Sequence, residues 1–146
     1  MKDAAREVTE SQLVEWGEAM GRELVAPCVI TLSGDLGAGK TTLTQAICRG
    51  YGVTGEVTSP TFALVHVYDA PKSQVHHVDL YRLTGPRDLQ NIGWDDMLSG
   101  DSVVIVEWPE RAQDAMPPAT SIELQFVPGH ADRRRLVVRA NAGSVA

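Results

Sequence analysis

The sequence predicts an α/β fold, three layers built around a central mixed, mostly parallel sheet. Three observations predict it. A β-branched run, Val29, Ile30, Thr31 and Leu32, breaks at Gly34, and after Lys40 the residues Leu43, Ala46 and Ile47 recur at helical i, i+3, i+4 spacing. That order is strand, glycine loop, helix. A second run, Val103, Val104, Ile105 and Val106, is apolar throughout, as a parallel strand covered on both faces must be. Two more apolar segments, residues 62–68 and 75–81, are separated by Asp69, Pro71, Lys72 and Ser73, which reads as an antiparallel hairpin and makes the sheet mixed.

The glycine loop is where chemistry is expected. Gly34, four residues, then Gly39, Lys40 and Thr41 fit the phosphate-binding pattern GxxxxGK[ST]. The glycines permit positive φ and close backbone approach. A helix starting near Lys40 leaves its first amides unpaired and carries about half a positive charge at that end, which suits a polyphosphate. Lys40 adds a full charge for the β and γ phosphates, and Thr41 a hydroxyl for Mg²⁺. In this strand and helix context the pattern predicts a P-loop NTPase-like fold. The chain has no Asn/Thr-Lys-x-Asp stretch of the guanine-reading kind, so ATP with Mg²⁺ is the expected ligand.

A length of 146 residues suggests one domain, 1–146, with residues 1–8 and 140–146 as loose termini. The formal net charge of -6 disfavours a sequence-independent grip on nucleic acid, which rests on Lys and Arg neutralising phosphates. Any nucleic-acid role is expected to be indirect. Cys28 and Cys48 lie in no metal-ligand spacing and read as incidental thiols of a reducing compartment. The first ten residues carry acids where a signal peptide needs an apolar core, and no apolar run approaches roughly 18 residues. A cytoplasmic protein without membrane association is the expectation.

Taken in order, Thr9-x-x-Gln12 forms a capping box for a helix with Leu13, Trp16, Met20 and Leu24 along one face, weakened at Gly21 and closed before Pro27. Gly50 and Gly52 supply the exit from the loop helix. In the following Ser59-Pro60-Thr61-Phe62 stretch, a hydroxyl on a mobile loop can report the γ phosphate, and a plain Ser-Pro turn fits equally. Strand 75–81 carries His76, His77 and Asp79. Alternation puts His77 and Asp79 on one face and His76 on the other, too few ligands for a zinc centre. Asp79 and Glu107 each end an apolar strand beside the loop, one acid for the metal and one for the water.

Residues 86–98 predict one or two short helices presenting Leu89, Ile92, Trp94, Met97 and Leu98. Pro109 stops the Val103 strand and opens a turn at Glu110 and Arg111. Alternating Ile122, Leu124 and Phe126 predict a half-exposed strand, and residues 136–138 another. Arg133, Arg134 and Arg135 before it read as a solvated edge from which one guanidinium, Arg133 being the candidate, can reach a nucleotide.

Four blocks, GDLGAGKTTLTQ (34–45), VTSPTFALVHVY (57–68), HHVDLYRL (76–83) and VEWPER (106–111), resemble the TsaE family, also called YjeE, in order and spacing. The resemblance implies a bacterial ATPase that acts with TsaB-like and TsaD-like partners to make threonylcarbamoyladenosine in tRNA, touching tRNA only indirectly. It implies that Gly34, Leu36, Gly37, Ala38, Gly39, Lys40, Thr41 and Thr42 meet the nucleotide, and that Thr41 and Glu107 hold Mg²⁺. Asp79 matches the family's Walker-B-like acid, Thr61 its switch-like threonine and Trp108 the tryptophan after the acid. Lys40, Glu107 and Asp79 are then the catalytic set, with turnover slow without partners because no arginine is an obvious finger. Two rivals stand beside this reading, a small-molecule P-loop kinase and a nucleotide-gated binding module. The short chain carries no arginine-rich lid to favour the kinase.

Overall fold

The computed structural model describes residues 3–58 and 64–142. Along these run β1 (Ala4–Thr9), α1 (Glu10–Glu23), β2 (Cys28–Ser33), α2 (Lys40–Tyr51), β3 (Val65–Asp69) and β4 (Gln74–Asp79). Then come α3 (Pro86–Asn91), α4 (Trp94–Ser99), β5 (Val103–Glu107), a 3₁₀ segment (Pro109–Ala115), β6 (Ala119–Val127) and β7 (His130–Ala142). The described strands form one sheet in the order β1-β7-β6-β2-β5-β4-β3. Its centre, β6-β2-β5-β4, is parallel, and the flanks β3, β7 and β1 pair antiparallel.

Period-two alternation sorts the side chains of β5 between two helical layers. Val103 and Ile105 join Ile30, Leu32, Leu43 and Ile47 under α1 and α2. Val104 and Val106 join Leu89, Trp94 and Met97 under α3 and α4 on the other face. This is the three-layer arrangement expected of a strand that is apolar throughout. The indole of Trp94 donates to the Ala115 carbonyl at 3.2 Å and so ties the 3₁₀ segment to the second layer.

The capping box forms as the sequence predicts. Gln12 N donates to Thr9 Oγ1 at 3.3 Å and Thr9 N to Gln12 Oε1 at 2.9 Å, satisfying two amides that α1 would otherwise strand. Gly21 does more than weaken the helix. A Cβ there would lie 2.1 Å from the Ile47 carbonyl oxygen of α2, and one on Gly50 2.1 Å from that of Glu18, so the two helices cross backbone to backbone. Trp16 is half-buried and packs against this core.

Two expectations about the termini are corrected. Residues 1–8 are not a loose arm in their described part, because Ala4–Thr9 is strand β1, registered on β7 from Ala4↔Val138 to Thr9↔Arg133. The backbone ladder holds it, while Val8 alone of its side chains is buried, so its hydropathy shows no alternation. Nor is the last strand confined to residues 136–138. It runs His130–Ala142 between β1 and β6, with the three arginines inside it and Ala140 N donating to Asp3 Oδ1 at 2.7 Å. The strand expected to reach residue 81 ends at Asp79, whose Oδ1 accepts from Tyr81 N at 3.0 Å and starts a turn.

Candidate functional site

β2 delivers the chain to Gly34 at the carboxyl end of the parallel centre, where α/β sheets place their ligands. Gly34 has φ 144°, and a Cβ there would stand 2.5 Å from the Leu124 carbonyl oxygen, so no other residue fits the bend. Gly37 and Gly39 also have positive φ. Ala38 N donates to Asp35 O at 3.0 Å, closing a tight turn that leads into α2. Its N-cap is Gly39, and no side chain caps it, so the positive end of the α2 dipole is turned to the bend. Ala38 is buried beneath the loop and Leu36 stands out in solvent at its tip.

Lys40 is 6% exposed. Its ammonium donates to the Gly34 carbonyl and, at 3.0 Å, to that of Asp35, and it lies 4.3 Å from the centre of the Trp108 ring. Burial lowers its pKa, and the nearby carboxylates of Glu107, Asp79, Glu110 and Asp35 pull it back up. Trp108 holds φ 60°, ψ 50°, the positive-φ non-glycine among the described residues. A left-handed aromatic residue costs about 1–3 kcal/mol, and such strain gathers where a side chain must be aimed. Here the strained turn packs Trp108 against Tyr81, ring centres 4.8 Å apart at a 47° tilt, with Arg111 beyond it 5.1 Å from the Tyr81 ring. Two aromatic rings thus stand between two cations, Lys40 at the loop and Arg111 beyond them.

The acids converge by register. Leu32, Glu107 and Asp79 occupy one row across β2, β5 and β4, so both carboxylates end their strands beside the loop. Glu107 is 2% exposed, and its Oε2 accepts from Nε2 of the wholly buried His77 at 2.5 Å. Among the described residues the other His77 nitrogen, Nδ1, has no partner, a deficit of about 1–3 kcal/mol for a buried polar atom. Asp79 has its pKa raised, first by burial and then by the charge of Glu107, against the lowering effect of the Tyr81 amide. Paired, partly desolvated carboxylates are the hard oxygen donors a Mg²⁺ ion takes, and a dication would relieve their repulsion. The donor chemistry of Glu107 and Asp79 fits that ion.

Two cavities flank the loop. One of about 200 Å³ lies on the β1 side, lined by Thr9, Glu10, Gly37, Thr42 and Arg133 among others. The structure thus brings Thr42 and Arg133 to one hollow, although Arg133 also pairs with Glu7 at 3.4 Å. Arg134, not singled out from sequence, approaches the Gly37 carbonyl at 3.5 Å and lies over Phe126. On the other side a larger cleft, about 690 Å³, is bordered by Ser33, Asp35, Trp108, Glu110, Glu123 and Arg139. Gln45 Nε2 donates to Val57 O at 2.9 Å, fastening α2 to the segment that leads toward the Ser-Pro-Thr stretch. Thr61 itself lies outside the described residues.

Burial pushes the Cys28 thiol up to about 11 and Cys48 up to about 12, so neither is a ready nucleophile. Sequence reading weighed His77 only as a metal ligand. Its bond to Glu107 crosses 30 residues, and only the strand register reveals it.

A family model described as "Threonylcarbamoyl adenosine biosynthesis protein TsaE" matches residues 8–136. The chain belongs to the TsaE family. Relatives bearing the name "tRNA threonylcarbamoyladenosine biosynthesis protein TsaE" include that of Haemophilus influenzae, 44% identical over 91 residues, which are 62% of this chain and 58% of the relative. The Nostoc protein is 37% identical over 125 residues, 82% of this chain and 74% of that one. The chain thus spans less than two thirds of the Haemophilus TsaE protein it matches. The crystal structure of Bacillus YdiB superposes with a TM-score of 0.80 at 26% identity, covering 97% of this chain and 88% of that one. TsaE membership and this likeness together make the fold a P-loop NTPase-like α/β fold, as the four sequence blocks imply. No helix among the described residues is long and apolar enough to cross a membrane.

Proposed function

We propose that this TsaE-family chain binds and hydrolyses ATP with Mg²⁺ at the β2–α2 bend, and that hydrolysis serves threonylcarbamoyladenosine formation in tRNA. TsaB-like and TsaD-like proteins in the cytoplasm are its partners in this reading. One observation carries it. Lys40, at the start of α2, and the carboxylates Glu107 and Asp79, on neighbouring strands, converge on a glycine bend at the N-terminus of a helix that no side chain caps. That is a site with positive charge for phosphate, acid for metal and water, and little solvent between them.

The Lys40 ammonium donates to the Gly34 and Asp35 carbonyls. Phosphate oxygens arriving at the loop are stronger, charged acceptors, so the ammonium transfers to them and keeps contact with Trp108. The α2 amides take further phosphate oxygens. Thr41 and Glu107 would hold Mg²⁺, which when bound neutralises charge on the β and γ phosphates. Glu107 or Asp79 accepts a hydrogen bond from the attacking water. The water oxygen forms its bond to the γ phosphorus as the bond to ADP breaks, and Lys40 with the amides stabilises the oxygens where charge gathers. The β1-side cavity, with Thr42 and Arg133, takes the nucleoside.

The test is reconstitution from purified proteins and unmodified tRNA, scoring the modified nucleoside and phosphate release together. The expected outcome is a chain that alone turns over well below about 10 per second, is stimulated by its partners, and supports sustained modification. Lys40→Ala abolishes both signals. Full modification without this chain, or with the Lys40 variant, contradicts the reading.

A further inference from the structure

We propose that His77 is a positioning residue for Glu107, holding that carboxylate in its working orientation at the phosphate end of the site. The inference rests on the ATP-hydrolysis reading above and adds a residue to it. Among the described residues, Glu107 is held by His77, whose Nε2 lies 2.5 Å from one carboxylate oxygen. A glutamate has three side-chain torsions, and burial alone does not select among them. The bond from His77 to one oxygen removes that freedom.

The surroundings argue against a packing role. His77 is 0% exposed and sits in register with Ile105, on the face that carries Val75, Val103 and Ile105. An aliphatic residue would fill that place without stranding a ring nitrogen, yet Nδ1 of His77 has no partner among the described residues. What the imidazole gains is its bond to the acid. The ring is itself braced, since Tyr68 of β3 lies 6.3 Å away at a tilt of 35°, and the Tyr68 hydroxyl donates to Thr58 O at 3.0 Å. His77 thus stands to Glu107 as an outer partner stands to a metal ligand, setting its direction.

Four variants test this: His77→Gln, which places an amide donor near the position of Nε2, His77→Asn, equally polar but too short to reach Glu107, His77→Leu, and Glu107→Gln. With wild type as reference, His77→Asn and His77→Leu are expected to lower kcat about 10–100-fold. ATP affinity measured in EDTA stays unchanged, while the tightening of ATP binding on adding Mg²⁺ shrinks. His77→Gln recovers most of both. Because His77 acts through Glu107, the double variant His77→Asn with Glu107→Gln is no slower than Glu107→Gln alone.

Equal behaviour of the Gln and Asn variants, or losses that multiply in the double variant, overturns the proposal. The Gln and Asn variants bury the same amide, so a folding defect common to both leaves Mg²⁺-dependent ATP binding by their folded fractions as the deciding comparison. A wild-type chain that binds no ATP overturns the hydrolysis reading itself, a result distinct from either of these.

Discussion

Asp79 has lost much of its water and faces a second carboxylate, and both effects raise its pKa in the folded chain. The folded state therefore holds that proton more tightly than the unfolded state does. Linkage fixes the sign. Asp79 costs stability above its folded pKa and nothing below its unfolded one, so the penalty develops as pH rises through the carboxylate range. Asp79→Asn keeps an oxygen for the Tyr81 amide and removes the charge. The variant should melt at a higher temperature than wild type at neutral pH, with the gap closing in acid. A gap that persists below the ordinary carboxylate range, or the opposite sign, contradicts the electrostatic account. At this scale the glycine bend and the place of Lys40 at the start of α2 were legible because their pattern is local and rigid in spacing. The bond from His77 to Glu107 was not, because nothing in a linear sequence says which residue of one strand faces which of the next.

At the scale of elements, α1 and α2 meet through glycines that sequence propensity marks only as weak points. Alanine at Gly21 would gain about 1 kcal/mol of helix propensity in isolation. The contact decides otherwise, since its Cβ would lie 2.1 Å from a backbone oxygen of the neighbouring helix, which cannot give as a side chain can. Gly21→Ala is expected to destabilise by about 1–3 kcal/mol net in denaturant unfolding. An unchanged or stabilised variant means that the helices do not cross as described. The capping box makes a separate prediction, that Thr9→Ala costs about 1 kcal/mol in the same assay. Helix α1 was readable from its cap and its 3.6-residue stripe. Strand β1 was not, because a strand held by its ladder, with Val8 its one buried side chain, leaves no hydropathy signature.

For the whole molecule, the apolar runs announced a parallel centre, and four sequence blocks announced its family. The order β1-β7-β6-β2-β5-β4-β3 follows from neither. It matters because it sets β2 between β5 and β6, so that the phosphate bend opens beside Glu107 on one side and the β6 backbone at Leu124 on the other. The arginines of β7 then approach the loop from the flank, Arg133, the candidate from sequence, lining the β1-side cavity and Arg134 reaching toward Gly37. If the bend is a triphosphate site, its affinity belongs to the loop and Lys40 and not to the surface at large. Calorimetric titration of Mg²⁺ and ATP into the full chain measures this most directly. Saturable heat from the wild type, weakened at least about tenfold by Lys40→Ala as the loss of a charged hydrogen-bond donor requires, is the predicted result. No heat at millimolar ATP, or the same isotherm from both proteins, contradicts the account.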